Sequence, residues 1–155
     1  MEYIVFNTPI GRLKMGREDG YITLFTWVGE KPRETASYDP LLLEGKKQVE
    51  EYFRGERKEF SLPIKINATP FRKKVLEELL KVRYGETVTY GQLAERTGNP
   101  KAARAVGSAM RTNPLVLIIP CHRVLPSSGR LGNYSAGGVE NKKLLLSLEG
   151  NPDVK

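Results

Sequence analysis

The chain has 155 residues, of which 39% are hydrophobic and 28% charged, the balance of a soluble globular protein. It contains no apolar stretch long enough to span a bilayer and no signal-peptide pattern at its start, so we expect a cytoplasmic protein without a membrane partner. A single cysteine and a single histidine exclude an internal disulfide and argue against a structural zinc site, whose four ligands are mostly Cys and His.

The net charge of +7 is unevenly distributed along the chain. Residues 1–68 carry 11 basic and 11 acidic residues, whereas residues 69–155 carry 14 basic and 7 acidic residues. This division predicts two domains, 1–68 and 69–155, of which the second meets a polyanion. A generally basic, solvated surface is the alternative.

The first domain is predicted to begin with three strands. Short apolar or β-branched runs at 2–6, 11–16 and 21–28 are separated by glycines, a pattern typical of antiparallel hairpins. Residues 41–54 then show helical spacing that closes at a glycine, and residues 56–68 are interpreted as a connection.

The second domain is predicted to contain a helix-turn-helix. A first helix begins at Thr69-Pro70 and is ended by Gly85. A short helix over 89–97 is followed by the tight break Gly-Asn-Pro and by another helix over 101–111. Two helices joined in this way have the dimensions of a helix-turn-helix.

The second helix of this motif carries few large side chains. Its residues are mostly Ala, Gly and Ser, and Arg104 and Arg111 are its long projections. Such a helix can approach a narrow groove closely but would read little base sequence. DNA contact is favoured because the stretch is basic and borders the cysteine segment; the alternative is that the small residues only permit tight packing in the core.

The only cysteine and the only histidine are adjacent, in Pro120-Cys121-His122-Arg123. The apolar run 115–119 before them predicts a buried β-strand that Pro120 ends, because proline has no N–H to continue a ladder. A free thiol has a pKa of about 8.5, so a nucleophilic Cys121 needs a base, and His122 is the only imidazole available. Since neighbouring side chains diverge, contact requires a sharp turn or a bridging water. The alternative is a buried, inert cysteine.

Two features downstream complete the candidate site. A carboxylate would usually orient the imidazole, and Glu140 and Glu149 are both candidates. The Gly- and Ser-rich stretch 127–138 predicts a loop whose backbone can approach a ligand closely, and residues 141–148 predict a closing helix.

Five motifs together resemble the O6-alkylguanine-DNA alkyltransferases, a family that repairs DNA by direct reversal. In chain order the matching segments are Thr89-Tyr90-Gly91-Gln92-Leu93, Gly98 to Gly107, Asn113-Pro114, Ile119 to Val124, and Gly132-Asn133-Tyr134-Ser135, which Glu149-Gly150 follows. The resemblance covers about residues 69–150, and residues 1–68 match only in size and order of elements. It implies an α+β fold, with a ribonuclease H-like α/β N-terminal domain and a mostly helical, winged helix-turn-helix-like C-terminal domain.

The resemblance implies an irreversible, single-turnover reaction on double-stranded DNA. A methyl or larger alkyl group would pass from O6 of guanine, and from O4 of thymine, to Cys121. His122 would take the thiol proton through a water, with Glu149 orienting the imidazole. Asn113 would brace the active-site loop, and Tyr90 would donate a hydrogen bond to guanine N3.

A DNA-binding surface and a base pocket are implied as well. Arg104 would fill the gap left by the extruded base, which must leave the duplex because its reacting atom is buried there. The other implied DNA contacts, which include the minor groove, are Ala103, Ala105, Gly107, Arg72, Gly91, Asn99, Arg111 and Ser127. The implied base-pocket residues are Met110, Gly132, Tyr134 and Ser135. The resemblance further implies binding without sequence specificity, a monomer, and no cofactor.

The chain departs from some relatives in two respects. Some members bind zinc in the N-terminal domain through Cys and His, which residues 1–120 lack, so no metal is expected. Val116 stands where some relatives have a second proline near the pocket, which leaves the accepted size of the alkyl group open.

Two other functions remain as alternatives. A winged-helix DNA-binding module with an inert cysteine would recognise damage but leave the thiol unmodified. A Cys–His hydrolase would turn over repeatedly without a stable adduct, and the absence of a second histidine disfavours it.

Overall fold

The computed structural model describes residues 1–154. The first domain of the protein is built on a three-stranded antiparallel sheet. The strands are β1 (Glu2–Thr8), β2 (Gly11–Glu18) and β3 (Tyr21–Gly29), in the order β1-β2-β3. They lie where the sequence predicts them, each extended by one or two residues at its C-terminal end. Helix α1 (Pro40–Phe53) covers one face of this sheet, and the carboxylate of Asp39, the residue before it, caps its N-terminus.

A glycine allows α1 to lie close to the sheet. A Cβ atom at Gly45 would collide with Sδ of Met15, a fully buried residue of β2. Leu42, Val49 and Tyr52 pack on the same side of α1 and are also fully buried. The helix is therefore fixed against the sheet along its whole length.

The free edge of β3 joins the two domains. Ile22 of β3 exchanges backbone hydrogen bonds with Pro63 and Lys65 of the connection, at 2.8 and 3.1 Å. Further along β3, the Phe25 amide donates to the Pro114 carbonyl at 2.8 Å, and its carbonyl accepts from Val116 at 2.9 Å. The segment that leads to the cysteine is thus anchored to the sheet of the first domain.

The second domain is mostly helical, and the α+β class is as predicted. Its elements are α2 (Pro70–Leu79), α3 (Tyr90–Arg96), α4 (Ala103–Arg111) and α5 (Val139–Leu148), with a short parallel pair, β4 (Val88–Thr89) and β5 (Val124–Leu125). Thr89 starts α3 with a capping box that includes Gln92. No helix among residues 1–154 combines the length and apolar character needed to cross a membrane. The division of the chain at residues 68 and 69 stays a prediction.

Several helix boundaries differ from the predicted ones; α5, for example, begins at Val139 instead of residue 141. Helix α2 ends at Leu79 instead of Gly85, because the chain leaves it through tight turns in which Lys81 and Val82 donate to carbonyls three residues back. Helix α4 begins at Ala103 instead of residue 101, since residues 99–102 form a further turn, closed by Ala102 N–H donating to the Asn99 carbonyl at 3.0 Å. The helix-turn-helix is present with a longer connection.

The predicted strand 115–119 is wrong. The segment is buried, as expected, but it folds back on itself, and the Ile119 amide donates to the Leu115 carbonyl at 2.9 Å. Leu117, at the tip, has a φ of 71°, a left-handed conformation that is rare for a residue with a branched side chain. Of residues 115–119, all of which the structure describes, only Leu115 pairs with β3, in a single parallel bridge.

Candidate active site

Cys121 and His122 lie in a single turn of 3₁₀ helix, Cys121–Arg123, directly after the folded-back segment. Cys121 lines a cavity of about 270 Å³, whereas His122 is fully buried and contacts Glu149. The thiol and the imidazole make no direct hydrogen bond within the described residues 1–154.

Glu149 is the carboxylate that contacts the imidazole, and Glu140 is exposed in the first turn of α5. Oε2 of Glu149 lies 2.7 Å from Nε2 of His122. Arg123 donates to both of its oxygens, through Nε to Oε1 at 2.7 Å and through Nη2 to Oε2 at 3.0 Å. A fourth hydrogen bond comes from the hydroxyl of Tyr52, at 2.5 Å. Burial raises the pKa of Glu149, but hydrogen bonds and electrostatic interactions with His122 and Arg123 outweigh it and lower that pKa to about 2.

This arrangement defines the proton positions on His122. Burial lowers the pKa of the imidazole, so the ring is neutral at pH 7, and the carboxylate of Glu149 requires the proton to be on Nε2. Nδ1 is then the unprotonated nitrogen, and it has no hydrogen-bond partner among residues 1–154. His122 is therefore prepared to accept a proton on the side of the ring that faces away from Glu149.

The thiol itself is held in its neutral form. Burial raises the pKa of Cys121, and the hydrogen bond from Asn113 and the positive charge of Lys142 lower it only in part. A buried thiol of this kind becomes nucleophilic only when a base removes its proton during attack.

Asn113 holds the folded-back segment by its side chain. Its Nδ2 donates to the Ile119 carbonyl at 2.9 Å, and its Oδ1 accepts from the Leu115 amide at 3.0 Å. The amide group thus bridges the two ends of the turn that carries Leu117, and the position of Cys121 depends on it.

The cavity contains all of the residues expected in a base pocket. Besides Cys121, its lining includes Tyr90, Gly107, Met110, Arg111, Pro126, Gly132, Asn133, Tyr134 and Ser135. The hydroxyl of Tyr134 is buried without a partner among the described residues, so it is available to a ligand. Burial and the nearby Cys121 raise the pKa of Tyr90, which keeps its hydroxyl a hydrogen-bond donor at neutral pH.

A buried lysine fixes one wall of this cavity. Nζ of Lys142 donates to the Val124 carbonyl at 2.7 Å and to the Asn133 carbonyl at 3.1 Å. The side chain is fully buried, and burial lowers its pKa to about 8. The Gly-rich loop is therefore tied to β5 and to α5.

The surface beside the cavity presents the small residues of α4. Ala103, Arg104 and Ala105 are exposed, whereas Val106, Ala109 and Met110 form the buried side of the helix. The alternative that the small residues serve only core packing is therefore wrong for Ala103 and Ala105. Of the other expected DNA contacts, Gly91, Asn99, Arg111 and Ser127 are exposed, Gly107 is half-buried, and Arg72 is half-buried with its Nη2 donating to Ser108 Oγ at 3.0 Å.

Sequence reasoning missed three residues of this site. Lys142 follows the same helical spacing as the buried Leu145, Leu146 and Glu149, and a lysine on a buried face is a signal that could have been used. Arg123 was recognised only as part of a motif. Tyr52 lies on an ordinary apolar stripe of α1, and nothing in its pattern distinguishes it from a core residue.

Two protein-family models match the chain. The first, described as 6-O-methylguanine DNA methyltransferase, ribonuclease-like domain, covers residues 1–66, and the second, described as the DNA binding domain of the same protein, covers residues 70–151. These matches confirm the predicted ribonuclease-like and DNA-binding characters of the two domains.

Relatives match over nearly the whole chain. The methylated-DNA–protein-cysteine methyltransferase of Methanosarcina acetivorans is 40% identical, over 97% of this chain and 99% of its own. The constitutive protein of that name from Bacillus subtilis is 41% identical, over 95% and 94%. The crystal structure of Mycobacterium tuberculosis OGT in complex with DNA has a TM-score of 0.87 at 36% identity, over 99% of this chain and 96% of that one. The chain belongs to the 6-O-methylguanine DNA methyltransferase family.

Proposed function

We propose that this protein repairs alkylated DNA by moving the alkyl group from O6 of guanine in duplex DNA to Cys121. The observation that carries the proposal is the cavity in which the thiol lies beside the His122–Glu149 pair. The relatives named methylated-DNA–protein-cysteine methyltransferase support the same reaction.

The proposed chemistry is an in-line displacement at the alkyl carbon. As Sγ of Cys121 forms a bond to that carbon, the bond from the carbon to O6 breaks, and guanine leaves as an anion. The thiol proton passes to Nδ1 of His122 through a water, and the hydroxyl of Tyr90 donates a hydrogen bond to N3 of the leaving base. Glu149 stabilises the imidazolium that forms.

The product is a thioether, which has no route back to a thiol in this site. Each molecule should therefore react once, and no cofactor takes part. A Cys–His hydrolase would instead need an intermediate that water can cleave, and a thioether is not one.

The size of the cavity supports a substrate of one base. At about 270 Å³ it lies just below the range of roughly 300 to 1,000 Å³ of pockets for drug-sized ligands, so it suits a single flipped base better than a nucleotide. Met110, Gly132, Tyr134 and Ser135 would contact the base. Alkylated O4 of thymine is proposed as a second, smaller substrate of the same pocket.

The proposed DNA surface is centred on α4. Its exposed small residues can approach the minor groove closely, and Arg104 is the long side chain that can enter the duplex when the base leaves. The excess positive charge of residues 69–155 supplies affinity that does not depend on sequence. Mycobacterium tuberculosis OGT, which was crystallised in complex with DNA, supports this partner. A monomer in the cytoplasm is the proposed state.

The test is to incubate the protein with duplex DNA that carries labelled O6-methylguanine. We expect one methyl group to appear on each protein molecule, at Cys121, which is the only cysteine. The control is Cys121→Ala, which should bind the DNA but accept no label. Methyl transfer that persists in this variant, or release of the label as methanol, would contradict the proposal.

A further inference from the structure

One side chain of the first domain reaches the active site. Tyr52, in the last turn of α1, is fully buried, and its hydroxyl donates to Oε2 of Glu149 at 2.5 Å. The same oxygen lies 2.7 Å from Nε2 of His122. Tyr52 and Glu149 are 97 positions apart in the sequence, so this contact exists only when the two domains are packed together.

The ring of Tyr52 is held by other aromatic side chains. Its centroid lies 5.2 Å from that of Phe53, 5.5 Å from that of Phe60 and 6.2 Å from that of Tyr84. Such a cluster leaves the ring little freedom, so the hydroxyl has a defined position. Burial, followed by the negative charge of Glu149, raises the pKa of Tyr52 far above its usual range. The hydroxyl is therefore a permanent donor.

We propose that Tyr52 is a positioning residue for alkyl transfer, through which the first domain holds the Glu149 carboxylate in the orientation that His122 requires. The inference rests on the roles proposed above for Cys121 and His122. Among residues 1–154, Oε2 is shared by three donors, Tyr52, His122 and Arg123, whereas Oε1 accepts only from Arg123. Without the Tyr52 hydroxyl, of the described residues only Arg123 and His122 hold the carboxylate, so its orientation, and with it the plane of the imidazole, is less well defined.

A tyrosine nearby provides the comparison that separates this role from ordinary packing. Tyr84 contacts the same aromatic cluster, and its hydroxyl donates to the Leu148 carbonyl at 3.0 Å, not to Glu149. Tyr52→Phe and Tyr84→Phe each delete one hydroxyl and keep the ring. The two variants differ in whether the lost hydrogen bond ends on the carboxylate that contacts His122.

The experiment measures two quantities on the full chain: the single-turnover rate of methyl transfer from O6-methylguanine DNA, and the ring signals of His122 after ¹⁵N-histidine labelling. His122 is the only histidine, so its two ring nitrogens are assigned without further variants. We expect Tyr52→Phe to slow transfer about fivefold to twentyfold. This is only part of the roughly 10- to 150-fold that corresponds to loss of a hydrogen bond to a charged group, because Tyr52 acts through Glu149. The Nε2–H proton signal of His122 in this variant should move upfield, because a less well oriented carboxylate makes a longer hydrogen bond to the imidazole. Tyr84→Phe should keep the wild-type His122 signals and a rate within about twofold of wild type.

Each outcome supports or overturns the proposal. A Tyr52→Phe rate within twofold of wild type overturns it, and so does a slower rate with unchanged His122 signals, which would mean that Tyr52 acts only through stability. If wild-type protein accepts no methyl group, the proposed function fails instead, and the His122 signals of Tyr52→Phe still decide whether Tyr52 positions Glu149.

Discussion

Replacing Glu149 with glutamine should both destabilise the fold and stop the reaction. The Glu149 side chain has no exposed surface, and it is the charge partner of Arg123, whose side chain is 8% exposed. In Glu149→Gln, Arg123 remains buried without a carboxylate, a loss that costs about 3 to 5 kcal/mol at other buried pairs.

The pKa of Glu149 gives a second value for the folding free energy that its carboxylate contributes. Lowering that pKa from 4.5 to about 2 corresponds to about 3 kcal/mol of folding free energy. Because the folded-state pKa is the lower one, this stabilisation is fully present above about pH 4.5 and is lost as the pH falls toward 2. Both routes therefore predict a loss of about 3 kcal/mol at pH 7, which lowers Tm by roughly 6 to 12 °C for a chain of this size.

The assay is thermal unfolding of wild type and Glu149→Gln at a series of pH values. The control is Glu140→Gln, the same change at an exposed position of α5, for which we expect less than about 1 kcal/mol. The difference between wild type and Glu149→Gln should shrink on acidification. A Tm at pH 7 equal to that of the control, or a difference that persists at pH 2, would refute the reasoning.

The same variant should lose methyl transfer for a different reason. Glutamine can donate its amide N–H to Nε2 of His122, which moves the imidazole proton to Nδ1, where the thiol proton has to be accepted. An analogous carboxylate-to-amide change in a Ser-His-Asp triad lowers the rate about 10⁴-fold. We expect a loss of at least about 100-fold in the single-turnover rate of Glu149→Gln, since the present site uses the base only once.

Three further variants test other parts of the proposal. Arg104→Ala should slow repair of duplex DNA about tenfold or more, because the extruded base is no longer replaced, and should leave transfer from free O6-methylguanine base unchanged. Equal loss in both assays would remove the intercalating role. Tyr90→Phe should slow transfer about tenfold with DNA affinity retained, and an unchanged single-turnover rate would count against hydrogen-bond donation to the base. Asn113→Ala should lower the free energy of unfolding by about 2 kcal/mol, because the buried Leu115 amide loses its partner and the Ile119 carbonyl loses one of its two donors. Calorimetry with no change in Tm would contradict that role.

Short-range patterns predicted much of this fold. The three hairpin strands, α1 and the two helices of the helix-turn-helix follow from glycine positions and apolar spacing, which act over a few residues. Cys121 and His122 could be recognised as a candidate site for the same reason, since they are adjacent in the sequence. Within residues 1–154 their side chains make no direct hydrogen bond, as expected for neighbouring residues.

Residues 115–119, which were predicted as a strand, show what apolar composition does not determine. The run 115–119 has the composition of a buried strand, and burial was predicted correctly. Its conformation is set instead by Asn113, whose side chain satisfies the backbone groups of Leu115 and Ile119 that a strand would have paired with a neighbour. A side chain that replaces a ladder in this way leaves no periodic signal.

The hydrogen-bond partners of Glu149 could not be predicted from the sequence for another reason. Tyr52 and His122 meet the same carboxylate from distant parts of the chain, and only the packing of the two domains brings them together. The family resemblance assigned Glu149, but it provided no reason to expect a donor from the first domain. Contacts of this kind become visible only in three dimensions.

The burial of the thiol fits a protein that is consumed by its reaction. A permanently ionised Cys121 would react with any electrophile or oxidant that entered the cavity, and each such event would waste one molecule. Burial raises the pKa of the thiol instead, so the residue stays neutral until a base is available. In the proposed mechanism His122 is that base, and the contact of Glu149 with Nε2 leaves Nδ1 free to accept the proton. Reactivity then depends on a flipped base that places its alkyl carbon in line with Sγ, so selectivity for the lesion and protection of the thiol have the same physical origin.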